Sequence, residues 1–271
     1  MAKIILILSD ALRYDVAVAN MGFLGHLVEY KLASLYKIAG ELPSLSRPMY
    51  ETIHTGVPSS MHGIVANTIV RRSIMPNIFQ SVANAGKVTA AAAYFWISEL
   101  YNRAPYDHID DKEVDDESLF IQHGRFYTKD EYPDIELFAS AAHLIRKFSP
   151  DYLLLHPMGM DYYGETYGSD SKEYRNHATQ QDKWLAPLIQ EWMEREYTII
   201  VTGDHGINKD GSHGGTTPDQ REVPLFTIQP NVKGRGDTGE SVSHLQIAPT
   251  VLQLLNVPIP ETMKHQSLLL D

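Results

Sequence analysis

The chain has 271 residues, 43% hydrophobic and 21% charged, an ordinary globular balance with enough length for one large core or two small ones. A formal net charge of −11 argues against a nucleic-acid-binding surface and sits badly with an anionic substrate, unless bound cations invert the local sign. Because cysteine is absent, disulfides, thiolate ligands and thiol nucleophiles are excluded.

In chain order, KIILILS (3–9) is a short apolar run that reads as a strand buried on both faces. It is too short for a signal peptide and has no small-residue cleavage site. No apolar run approaches membrane-spanning length, so a soluble cytoplasmic protein with no membrane partner is expected. Helical patterns follow over 48–55 and over 75–86, where Pro76 suits a first turn. The strand VTAAAAY (88–94) leads into 101–132, an acidic, aromatic and weakly periodic stretch expected to form a cap or surface insertion. Beyond it lie a helix over 133–148, a strand at 151–157, a helix over 171–194, strands at 197–203 and 223–228, and a helix over 244–255. This alternation predicts a doubly wound α/β fold: a mainly parallel central sheet with helices on both faces, in a single domain spanning 1–271.

Four stretches place chemistry-bearing residues at or after strand ends, where α/β sheets collect their ligands. ILSDALRYD carries Asp10, and LLLHPMGMDYYGETYG carries Asp161 and Glu165. TGDHGINKDGSHGG carries Asp204, His205 and His213. LPSLSRPMYETIHTGVPSSMHGIVANT carries serines ahead of a proline and a helical pattern. Carboxylates with imidazoles suit Zn²⁺ or Mn²⁺, whereas a lone Asp after a strand is commonly a helix N-cap. A serine at a helix N-terminus lies where the positive dipole end favours an alkoxide and an anionic phosphoryl group. Divalent cations would activate that hydroxyl and offset the surrounding carboxylates.

Together, TGVPSSMHGIVAN, MDYYGETYG, TGDHG and GSHGG followed by VPLF resemble the alkaline phosphatase superfamily, and most closely its type I phosphodiesterase/nucleotide pyrophosphatase branch. The resemblance runs from SDALRYD to IAPTVLQLLNVPIP. It implies an alkaline phosphatase-like core and a phosphohydrolase that works through a covalent phosphoserine with two divalent metals, zinc first and manganese second. Counting back from Thr55-Gly56 puts the nucleophile at Ser46 in Ser46-Arg47-Pro48, with Ser44 as its rival. Asn67 falls where the branch holds a phosphoryl oxygen. By the same resemblance, Asp10, Ser46, Asp204 and His205 would hold one ion, and Asp161, residue 165 and His213 the other.

Two positions depart from the branch. Its Asp-x-x-Gly-His here reads Asp161-Tyr162-Tyr163-Gly164-Glu165, so a carboxylate stands in place of an imidazole. Either Glu165 ligates, making a harder site more tolerant of Mn²⁺, or His177, His156 or water fills the position. Arg47 stands where the branch often has an apolar residue; it either binds a terminal phosphate or carboxylate or lies on the surface at a helix start. Tyr162 and Tyr163 are candidates to stack on a substrate ring, and His244 is a candidate to line the site.

The expected substrate is a small phosphorylated molecule, a nucleotide among the candidates. A phosphodiester or pyrophosphate is favoured, because a monoester needs extra cations and Arg47 alone offers one. A phosphomonoesterase or phosphonate hydrolase is the alternative. A sulfatase would want an arginine where Tyr50 stands, and a mutase or phosphotransferase would want a large inserted domain. A catalytically weak phospho-ligand binder is the reading that Glu165 would favour.

Overall fold

A computed structural model describes residues 2–268. Among these residues nine strands form one mixed sheet: β1 (Lys3–Leu8), β2 (Ala33–Ala39), β3 (Thr89–Tyr94), β4 (Glu113–Asp115), β5 (His123–Tyr127), β6 (Tyr152–Leu155), β7 (Tyr197–Thr202), β8 (Glu222–Ile228) and β9 (Gly236–Val242). Their spatial order is β4-β5-β3-β6-β1-β7-β8-β2-β9. The centre, from β5 through β7, is parallel, while β4 and β8 run antiparallel to their neighbours. The helices are α1 (Tyr14–Asn20), α2 (Gly22–Glu29), α3 (Ser46–Thr55), α4 (Ser59–His62), α5 (Ile78–Asn84), α6 (Phe95–Tyr101), α7 (Asp134–Phe148), α8 (Gly159–Tyr167), α9 (Lys172–Glu194), α10 (Pro218–Arg221) and α11 (Ile247–Leu254).

After Lys3, the run of β1 is apolar at every position because both faces of the sheet are covered. Ile5 and Ile7 pack with Leu24, Phe138, Leu185 and Trp192 of α2, α7 and α9. Ile4, Leu6 and Leu8 pack on the other face with Ile53, Phe79 and Val251 of α3, α5 and α11. Side chains alternate across a strand, so each layer takes every second residue. Full burial of each such side chain stabilises by about 1.5–3 kcal/mol.

Register then builds the site. Ile7 pairs with Leu155, and Leu8 with Thr202. The next residues of the three strands, Ser9-Asp10, His156 and Gly203-Asp204, therefore emerge side by side at the carboxyl edge of the sheet, the usual ligand crevice of open α/β sheets.

The five expected strands are present, and the five expected helical patterns correspond to α3, α5, α7, α9 and the turn plus helix of His244–Gln246 and α11. Four strands went unanticipated. β2 and β9 pair with each other, and β9 reads GDTGESV, a polar edge with no apolar alternation to reveal it. The stretch 101–132 is more than a surface insertion: β5 pairs in parallel with β3 and β4 closes that edge, with Ile121, Phe126 and Tyr127 buried. Among the described residues, no helix is long and apolar enough to cross a membrane.

Candidate active site

Ser46 is the first residue of α3, and the helix ends ten residues on at Gly56 with φ +63, a left-handed position that only glycine adopts without strain. This accounts physically for the Thr55-Gly56 pair. Ser46 is 4% exposed, and its hydroxyl donates to His205 Nε2 at 3.1 Å. Its neighbour Arg47 donates its backbone N–H to Asn67 Oδ1 at 3.0 Å. That bond turns the Asn67 amide so that its NH2 remains as a donor. Ser44 is committed elsewhere: its hydroxyl donates to the Gly215 carbonyl at 2.8 Å.

His205 follows β7 and is fully buried. Its Nδ1 lies 2.9 Å from the Gly206 carbonyl, which can only accept, so Nδ1 carries the proton and Nε2 presents its lone pair. Burial lowers its pKa to about 4, which keeps the ring neutral. Around Nε2 stand Asp10 Oδ1 and Asp204 Oδ2, each at 3.4 Å. Both carboxylate oxygens are buried and lack a hydrogen-bond partner. The ring of His213 stacks on His205 at 4.3 Å, and His213 Nε2 lies 3.8 Å from Asp161 Oδ1, a third partnerless buried oxygen.

Two triads thus converge, Asp10-Asp204-His205 and Asp161-His205-His213, with the ligand atoms of each within 4.8 Å of one another. Burial and repulsion from Asp10 push the Asp204 carboxyl well above the ordinary range, and Asp161 is pushed the same way by burial, Asp10 and Glu165. Three buried carboxylates with orphaned oxygens beside an unprotonated imidazole nitrogen form a site short of positive charge. The donor set of carboxylates and imidazoles fits divalent cations.

Asp10 is oriented from behind by residues that the sequence did not single out for this work. Its Oδ2 accepts hydrogen bonds from the Tyr50 hydroxyl and, at 3.2 Å, from His156 Nε2. Burial works to raise the Asp10 pKa, but the His156 hydrogen bond and the nearby imidazoles outweigh it and hold the group low. His156 Nδ1 faces the Tyr94 N–H at 3.4 Å, which leaves its proton on Nε2. Tyr50 lies one helical turn beyond Ser46, a spacing that signals a shared face.

Glu165 lies at the rim with its side chain about half exposed, and its Oε1 is 3.2 Å from His213 Nε2. Burial works against the charged form of His213, but the hydrogen bond to Glu165 and the proximity of Asp10 outweigh it and raise its pKa. The alternative occupants of that position are engaged elsewhere. His156 holds Asp10, and His177 bonds Asp134 Oδ2 at 2.7 Å.

Arg47 is not on the surface. It is 1% exposed, pairs with Glu99 at 2.8 Å and lies over the Trp96 ring at 4.4 Å. Tyr163 packs against the core and stacks on His177, while the half-buried Tyr162 meets Tyr163 edge-on at 5.4 Å. His244 is buried and bonds the Gly203 carbonyl at 2.9 Å, directly behind Asp204. His62 bonds Thr52 and the Ile64 N–H, closing the turn after α4 as a structural histidine would.

Fold and donor set define an alkaline phosphatase-like protein with a buried carboxylate–imidazole centre beside a serine in the first turn of a helix. Comparison with known proteins agrees on the fold. Residues 4–210 match the family model for type I phosphodiesterase / nucleotide pyrophosphatase, and the chain belongs to that family. The murine ectonucleotide pyrophosphatase / phosphodiesterase 5 superposes with a TM-score of 0.70 at 14% identity, covering 95% of this chain and 96% of that one. A phosphonate monoester hydrolase from Silicibacter pomeroyi superposes with a TM-score of 0.69 at 15% identity, covering 99% and 76%. Among curated sequences, the catalytic subunit of human GPI ethanolamine phosphate transferase 2 is 23% identical over 96% of this chain and 27% of its own length. The Candida albicans GPI ethanolamine phosphate transferase 2 is 32% identical over 41% of this chain and 14% of its own. The chain thus spans about a quarter or less of the length of these two transferases.

Proposed function

We propose that the protein cleaves a phosphodiester-type bond, with Ser46 as nucleophile and two divalent cations bound by the buried centre. The observation that carries this reading is the pair of triads in which three partnerless carboxylate oxygens gather around His205 and His213, with the Ser46 hydroxyl bonded to His205 Nε2. Asp10, Asp204, His205 and Ser46 would hold one ion; Asp161, His213 and Glu165 would hold the other. When bound, the ions supply Lewis acidity and charge neutralisation.

The chain's own residues do the rest. Ser46 Oγ forms a bond to phosphorus as the bond to the leaving oxygen breaks, and its proton passes to solvent. The N-terminal end of α3 and the Asn67 amide stabilise the phosphoryl oxygens. An acceptor then takes the phosphoryl group from Ser46, regenerating the hydroxyl. Water as acceptor makes the protein a hydrolase. An alcohol makes it a transferase, the reading favoured by its curated relatives, named as ethanolamine phosphate transferases.

A diester is favoured over a monoester because the cation beside Ser46 is already neutralised: Arg47 is buried against Glu99. Zinc suits the first ion, while the carboxylate at position 165 makes the second position tolerant of manganese. The test compares bis(p-nitrophenyl) phosphate with p-nitrophenyl phosphate at added Zn²⁺ or Mn²⁺. Faster turnover of the diester, abolished by chelator, is expected; equal or faster monoester turnover would overturn the preference.

A further inference from the structure

Asp134 opens α7, and it is 2% exposed. Its carboxylate serves other elements. Oδ1 accepts the backbone N–H of Gly159 at 3.2 Å, at the start of α8. Oδ2 accepts from His177 Nε2 and Gln181 Nε2, both on α9 and each at 2.7 Å. Gln181 Oε1 in turn accepts the Ser9 hydroxyl at 2.8 Å. One buried carboxylate thus holds Gly159, two residues before Asp161, and reaches Ser9, the neighbour of Asp10, through a single amide. The dipole of α7 accounts for an acid in its first turn, but not for three donors drawn from α8 and α9.

The approach to α8 is close. A Cβ at position 159 would run into Asp134 Oδ2 and His177 Nε2, so the contact needs glycine there. His177 also stacks on Tyr163 of α8 at 4.4 Å. Two long helices, α7 and α9, therefore grip the first turn of α8, which carries Asp161. The ligands of the two triads differ in their support. Asp10 has Tyr50 and His156 on its Oδ2. Asp161 Oδ1 is buried with no hydrogen-bond partner, so its place follows from how α8 is seated.

We infer that Asp134 is a positioning residue for the second cation: by holding the Gly159 N–H it seats α8 and sets where Asp161 stands relative to Asp10. The inference rests on the two-cation reading of the centre, which it deepens.

The test titrates Zn²⁺ into chelator-treated protein against a fluorescent chelator, and records the thermal unfolding of each variant alongside. The tighter step is assigned to Asp10, Asp204 and His205, the weaker to Asp161 and His213. Asp134→Ala removes the acceptor of the Gly159 N–H, whereas Asp134→Asn retains one. The alanine variant should lose about tenfold or more at the weaker site and stay within about threefold at the tighter one. The asparagine variant should stay within about threefold at both. If the alanine variant does not fold, Asp134→Ser replaces it: its hydroxyl is polar beside His177 and Gln181 but sits one bond closer to the backbone, short of Gly159. Equal weakening of both sites, no weakening of either, or a loss in the asparagine variant as large as in the alanine variant would overturn the assignment. A parent protein that binds a single ion would overturn the two-cation reading itself, and the assignment with it.

Discussion

His156 offers the sharpest perturbation of the centre. It is fully buried, takes the Tyr94 N–H on Nδ1 and gives its Nε2 proton to Asp10 Oδ2. With Tyr50 it occupies one oxygen of Asp10 and leaves Oδ1 bare beside His205 and Asp204. His156→Leu removes one of two donors to a buried carboxylate. A hydrogen bond to a charged group contributes about 1.5–3 kcal/mol, and loss of such outer support typically weakens a metal site by about 10- to 100-fold. His156→Gln retains an N–H donor at the Nε2 position and should recover most of that loss. The assay is titration of Zn²⁺ against a fluorescent chelator, with the far-ultraviolet circular dichroism of each variant as a check on folding. The leucine variant should lose at least tenfold in the tighter site and the glutamine variant no more than about threefold. Affinity unchanged in the leucine variant would refute the assignment of His156 as the residue that positions Asp10.

Other expectations follow from single contacts. Glu51 is a buried residue of α3, accepting from Ser73 and Tyr101, and burial raises its pKa from 4.5 to about 7. A carboxyl raised on folding keeps its proton in the native state longer than in the unfolded one, so stability falls as pH rises from about 4.5 to 7 and is flat above. The span amounts to about 3 kcal/mol, and urea unfolding of Glu51→Gln at pH 5 and pH 8 should show that fall removed. Gly159 opens α8 with His177 and Asp134 pressed where a Cβ would stand, so Gly159→Ala should cost about 1–3 kcal/mol by thermal unfolding and displace Asp161. Glu165→His should raise the Zn²⁺-to-Mn²⁺ affinity ratio of the weaker site by about tenfold in the same chelator titration; an unchanged ratio would place residue 165 outside the coordination sphere.

Much of this was legible because strand ends are marked twice, by an apolar run and by the polar residues that follow it. KIILILS-Asp10 and YTIIVT-Gly-Asp204 carry both marks, and their parallel register follows from burial on both faces. Ser46 was legible through the helix start and the Thr55-Gly56 pair, whose left-handed glycine fixes the end of α3. The support behind the ligands was less legible. Tyr50, in a helix, and His156, just past the end of β6, meet at Asp10 although 106 positions apart, a contact no local pattern encodes. Arg47 read equally as a surface residue or an anion binder because its partner Glu99 lies 52 positions away. The edge strands β4 and β9, and β5 beside β4, were missed for a related reason. Edge strands need neither continuous apolar character nor clean alternation, and 101–132 hid its sheet pairing under an acidic surface.

The central claim is a covalent phosphoseryl step at Ser46. Rapid-quench mass spectrometry of the metal-supplied protein with bis(p-nitrophenyl) phosphate tests it most directly. A p-nitrophenyl phosphoryl adduct on the peptide containing Ser46 is expected to form and decay at rates consistent with turnover, with neither adduct nor turnover in Ser46→Ala. Sustained turnover by Ser46→Ala, with no adduct on the parent protein, would contradict it.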